Sequence, residues 1–154
     1  MPKMNENGTR AMPASQPEPA LIRRIFDIAF NKGNLAIVEE LLAPDSIIHI
    51  PTWGLPNNRM GLKQLIAGIR FAFPDLHITV EDEIQQGNKS AVHCEMRGTH
   101  TGSLFGNPPT GRRIEVQSLI FTRTENGRIV ENWLLIDQMG MLQQLGIVPP
   151  PRGI

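Results

Sequence analysis

From Leu21 the apolar positions Leu21, Ile22, Ile25, Phe26, Ile28 and Ala29 recur at three-and-four spacing, which predicts a helix. It stops at Asn31-Lys32-Gly33, where Gly33 suits a C-terminal cap. Asn34 can cap a second helix carrying Leu35, Val38, Leu41 and Leu42 and ending at Pro44. "SIIHIP" is a short β-rich run with Ile48 and Ile50 on one face and Ile47 and His49 on the other. Helical period returns in "MGLKQLIAGIRFAFP" through Leu62, Leu65, Ile66, Ile69 and Phe73, until Pro74 ends it.

Beyond Pro74 the period changes to two. "LHITVEDEI" and "SAVHCEMRG" alternate apolar and polar residues, placing Val92, Cys94 and Met96 opposite His93, Glu95 and Arg97. "RIEVQSLIFTRT" turns at Glu125-Asn126-Gly127-Arg128 into "IVENWLLID", and "MGMLQQLG" reads as a last short helix. Between the middle strands lies "GTHTGSLFGNPPTGRR", residues 98–113, too long for an ordinary hairpin turn and therefore the candidate rim of a site. The order predicts a segregated α+β domain: three N-terminal helices under a strongly curved antiparallel or mixed sheet, leaving a cone-shaped internal pocket.

Composition narrows the partners. The 154 residues suit one domain, and residues 1–19, with four prolines and no apolar repeat, predict a flexible N-terminal tail before a domain at 20–147 and a Pro-rich tail at 148–154. Fifteen basic and fifteen acidic residues give no net charge to attract nucleic acid or a membrane surface, and they permit association between copies. The single cysteine, Cys94, makes no internal disulfide, and no run has the length of a transmembrane helix, so a cytoplasmic setting is expected. His49, His77, His93 and His100 show no metal-ligand spacing, Cys94 reads as inert core, and no phosphate-binding glycine loop is present.

The segments FPD at 73–75, GTHTG at 98–102, PPTGRR at 108–113 and E-x-W-x-x-x-D from Glu131 to Asp137 together resemble the SnoaL-like polyketide cyclases, or ester cyclases, of the nuclear transport factor 2-like superfamily. The resemblance spans about residues 20–147. It implies a cofactor-independent intramolecular aldol condensation of a polyketide-like carbonyl compound, a reaction of lyase or isomerase type, and it puts the acid/base aspartate at Asp137. Asn132 stands where relatives often carry histidine.

Read from the residues, Asp137 follows the apolar run "WLLID" in step with Trp133 and Leu135. An inward carboxylate there would be desolvated and so raised towards a working pKa; the alternative is that it caps the last helix. His49 and His100 are candidate donors to a forming oxyanion, His100 by continuing the Val92-Cys94-Met96 face to the start of the long hairpin. Trp53, Met60, Phe71, Phe73, Phe105 and Trp133 could wall a site for an apolar or polycyclic small molecule, or be core. No metal or organic cofactor is expected, and a homodimer or higher homo-oligomer is expected through the outer sheet face. The competing reading is a protein of the same fold that holds a small apolar ligand without turning it over.

Overall fold

The computed structural model describes residues 21–51 and 53–153, so the tail expected at 1–19 lies outside the described residues. α1 (Leu21–Arg24) continues directly as a π-helical segment, Ile25–Phe30, and Gly33 follows with φ +79°, the left-handed conformation that closes a helix end. The Asn34 side chain accepts from the amide of Ala36 at 3.1 Å and opens α2 (Ala36–Leu41). The expected continuation of that helix to Pro44 does not occur. Leu42 is already extended and begins β1 (Leu42–His49), an edge strand whose Pro44 and Asp45 face solvent, where a residue without an N–H costs no ladder bond.

α3 (Arg59–Ala72) is capped by Asn58, whose side chain accepts from Gly61 N at 3.0 Å, and it buries Leu62, Leu65, Ile66, Ile69 and Ala72. β2 (His77–Gln86), β3 (Lys89–Thr99), β4 (Arg113–Glu125) and β5 (Arg128–Ile136) form the expected antiparallel meander, and α4 (Gln138–Gln144) follows. β1 adds to β5 in parallel, giving the order β1-β5-β4-β3-β2 and a mixed sheet. The architecture is thus the α+β arrangement read from the sequence, with N-terminal helices packed on one face of a curved five-stranded sheet.

Burial assigns the two faces. Ile48, Ile78, Val92, Cys94, Met96, Val116, Ile120 and Leu134 are buried and belong to one core with Ile25, Phe26 and Phe30 of the first helical segment and Leu65, Ile66 and Ile69 of α3. The alternate residues His93, Leu119, Phe121, Trp133 and Leu135 lie on the other, outer face.

The long hairpin closes the end of this core. Thr101 N and Gly102 N both donate to the carbonyl of Ala72, at 3.0 and 3.1 Å, so the hairpin satisfies the end of α3. The approach is possible only without a side chain: a Cβ on Gly102 would lie 2.1 Å from Phe71 O. Gly102→Ala should therefore destabilise the chain by about 2–4 kcal/mol. The urea midpoint measures it, with exposed Gly106→Ala, whose strain is local to the hairpin tip, expected to cost less.

Candidate functional site

His100 lies at the base of the hairpin and is fully buried against Phe73, with ring centroids 5.4 Å apart. Its position continues the inward face of β3, as the strand period requires. Thr110 N donates to Nδ1 at 3.2 Å, and the Thr110 hydroxyl stands 3.0 Å from the same atom. A ring nitrogen that accepts an amide N–H carries no proton in the neutral imidazole, so the proton sits on Nε2. Nε2 is buried and makes no hydrogen bond of ordinary geometry. Burial holds the His100 pKa below its usual value, with only partial opposition from the backbone of Gly102. The result is an inward histidine held towards its neutral form, with the Gly102 backbone beside it and no well-formed hydrogen bond at Nε2.

Two of the six expected ligand-wall residues meet each other: Trp53 and Phe105 stack with centroids 4.8 Å apart and planes at 22°. Phe105 also lies on α3, where a Cβ at Gly68 would come within 2.6 Å of its ring. Phe73 is fully buried beneath His100. Met60 and Phe71, in contrast, point out from α3 and are mostly exposed.

Trp133 and His49 are on the outer face, and Asp137 lies past the end of β5. The Trp133 ring stacks on His49 at 5.0 Å, and His49 Nε2 lies 2.8 Å from Glu131 Oε2, with Arg123 reaching the other carboxylate oxygen at 3.3 Å. The His49 contact above all, aided by Arg123 against desolvation, holds the Glu131 carboxyl below its usual range. Asp137 is exposed rather than inward. Its backbone N–H donates to Gln117 O, and its side chain accepts from Gly140 N at 2.9 Å as the N-cap of α4. The inward register expected for Trp133, Leu135 and Asp137 is thus corrected: Asn132 and Leu134 point inward instead.

Inward polar groups that the sequence reading left without a role form two cross-strand contacts. Asn132 Nδ2 donates to Thr122 Oγ1 at 3.2 Å, and Cys94 pairs with Ser118 across β3 and β4. Burial pushes the Cys94 thiol up to about 12, against the opposing Ser118 contact, so it is no nucleophile near neutrality. A period-two reading of β4 marks Ser118 and Thr122 as inward with Val116 and Ile120, and this was the available signal. Among the described residues the buried polar side chains are Ser46, Ser90, His100, Ser118, Thr122 and Asn132, and none is a carboxylate. No group of three or more His, Cys, Asp or Glu is placed to hold a metal among them, and no helix is long and apolar enough to cross a membrane.

The buried His100 makes stability depend on pH. The folded state resists protonation that the unfolded chain accepts near pH 6.5, so stability is full above about pH 6.5 and falls as pH drops towards the lower folded pKa. Urea midpoints at pH 7.5 and 5.5 should differ more for the parental chain than for His100→Gln. An equal dependence in both would remove His100 as its source.

The model of the SnoaL-like polyketide cyclase family matches residues 20–145. The aklanonic acid methyl ester cyclase DauD of Streptomyces sp. (strain C5) is 27% identical over 144 residues, covering 89% of this chain and 87% of its own. The nogalonic acid methyl ester cyclase of Streptomyces nogalater is 29% identical over 120 residues, covering 77% and 90%. Among solved structures, wild-type IdmH, a proposed polyketide cyclase from Streptomyces antibioticus, superposes with TM-score 0.71 at 39% identity over 82% of this chain and 96% of that one. With the family model matched over residues 20–145 and its sheet and helices superposing on IdmH, the chain belongs to the SnoaL-like polyketide cyclase family.

Proposed function

We propose that the protein closes a ring in a polyketide-like compound carrying a 1,3-dicarbonyl unit, without metal or organic cofactor, and that His100 Nε2 donates to the carbonyl under attack. The single observation that carries this reading is the buried, inward imidazole whose Nε2 makes no hydrogen bond of ordinary geometry. A 1,3-dicarbonyl compound holds part of its population as the enol, which is itself a carbon nucleophile. The enol carbon bonds to the polarised carbonyl carbon, the enol O–H proton leaves as its C=O forms, and the new alkoxide takes up a proton. Atoms balance as an isomerisation. A buried donor aimed at the developing alkoxide is worth more than the same donor in water. Holding both reacting ends of one molecule together supplies much of the remaining effect.

This scheme asks no buried carboxylate of the protein, in keeping with the inward groups described, and it leaves Asp137 as a helix cap. The test uses the methyl esters on which the named relatives act, aklanonic and nogalonic acid methyl esters. His100→Phe should lower kcat by about 10²–10³-fold. Asp137→Asn, an equally good cap, should leave it near the parental value. A fall of about 10²–10⁴-fold in Asp137→Asn would instead make Asp137 the acid and base of the reaction. Tight binding of both esters with no turnover by the parental chain would favour a ligand-holding protein of the same fold.

The outer face supports a second proposal, that it receives another copy of this chain. Ile84, Leu119, Phe121, Trp133 and Leu135 surround a depression of about 330 Å³. A two-fold contact covers this apolar centre, which a lone chain leaves wet. Light scattering should report a dimer or multiple of it, and Phe121→Asp should give monomers. A monomeric parental chain at high concentration would remove the proposal.

A further inference from the structure

Among the described residues, three turns pair a non-glycine residue at positive φ with a following glycine. At the β4–β5 connection the pair is Asn126-Gly127, with φ +52° and +73°. Asn is suited to that conformation, and such a pair serves the turn alone. At the tip of the long hairpin the pair is Phe105-Gly106, with φ +42° and +91°, between Leu104 and Asn107, which exchange both backbone hydrogen bonds at 2.9 Å. In the loop from β1 to α3 it is Trp53-Gly54, with φ +61° and +62°.

A bulky aromatic residue at positive φ is an outlier and persists where its surroundings hold it. Here both outliers are the two rings that stack on one another. Local turn chemistry would favour Asn, Asp or Gly at either place, so the rings are kept for what they cover.

What they cover follows from α3. Gly61 and Gly68, two turns apart, lie on one side of the helix, and each has a loop lying against it. A Cβ at Gly61 would sit 1.7 Å from Pro56 O, and one at Gly68 2.6 Å from the Phe105 ring. The β1–α3 loop is pinned at its far end by Ile48 N donating to Asn57 O at 3.1 Å, and the hairpin by its two bonds to Ala72 O. Between these anchors the two loops touch through the Trp53–Phe105 stack, at the tip of the hairpin whose base holds His100.

We propose that Trp53 and Phe105 form an aromatic clasp over the interior, and that a flat conjugated ligand enters by parting the two rings and is then held against their exposed faces. This rests on the cyclase reading and adds to it the shape of the substrate and the residues that select it. Two rings already parallel and 4.8 Å apart exchange one stacking partner for another, so opening costs them little when the entrant is itself flat. A saturated or globular ligand gives no such replacement and is disfavoured.

The test takes the full chain with Trp133→Phe, which leaves Trp53 as the one tryptophan of the two in the sequence, and uses 1,8-dihydroxyanthraquinone as the probe. Binding should quench Trp53 fluorescence. Phe105→Asn places a residue suited to positive φ at the turn, so the thermal midpoint should hold or rise while the probe Kd rises about tenfold and both association and dissociation quicken. Phe105→Tyr should restore the parental constants, and Phe71→Ala, an exposed ring on α3, should change nothing. A parental chain that does not take the probe, or a Phe105→Asn chain that binds it with unchanged rates, overturns the clasp. Failure of the reaction scheme reads differently: His100→Phe would then keep parental turnover whatever the probe does.

Discussion

The contact on which the arrangement turns is the carbonyl of Ala72 at the end of α3, which accepts both Thr101 N and Gly102 N. A helix C-terminus leaves carbonyls without partners, and here a hairpin from the sheet supplies the donors. That one junction fixes α3 against β3 and β4, brings Gly98 against Phe73, and carries His100 beneath the ring that shields it. Asp75 strengthens the same corner, its carboxylate accepting from both Thr99 N and Thr99 Oγ1 at 2.7 Å; these bonds hold its pKa below the usual range. The glycines of the hairpin answer to this approach: two of them stand where backbone or ring leaves no room for a methyl group.

Most of the fold was legible because its elements differ in period. α3 has a clean apolar stripe, β3 and β4 alternate strictly, and Asn126-Gly127 marks its turn, so order and pairing followed from local pattern. β1 was read four residues short because Leu42 suits either a helix end or a strand start, and only pairing with Ile129 decides it. The face of β5 was misread for a related reason. "WLLI" is apolar at every position, so alternation carries no signal there, and a register shift between Arg123 and Thr124 moves the count. Both faces of β5 are in fact apolar, one towards the core and one towards the outer depression, and that placed Asp137 on the wrong side.

The candidate site was legible where a side chain's role follows from its strand and hidden where it follows from a tertiary neighbour. His100 belongs to the first kind: the alternation Val92, Cys94, Met96 carries it inward without further information. The state of its ring does not follow from the strand, since it takes Thr110, ten residues away across the hairpin, to fix the proton on Nε2. His49 is the opposite case. Its strand leaves the two faces undecided, and only the parallel pairing with Trp133 shows that it serves the outer surface, where it stands in a row with Glu131 and Arg123.

These placements separate the two faces chemically. The outer face sets ionised side chains beside exposed Phe121 and Trp133, a combination that suits contact with another polypeptide carrying both. The inner face keeps amides, hydroxyls, a protonated thiol and a neutral imidazole, groups that orient and polarise without introducing a charge that burial would penalise. In the proposed reaction the substrate brings its own acidity and conjugation, since a carbon between two carbonyl groups delocalises the electrons it must release, and the protein would supply shape and one donor. The strain at Trp53 and Phe105 falls where the two loops meet through their stacked rings, so local turn preference is given up at a tertiary contact.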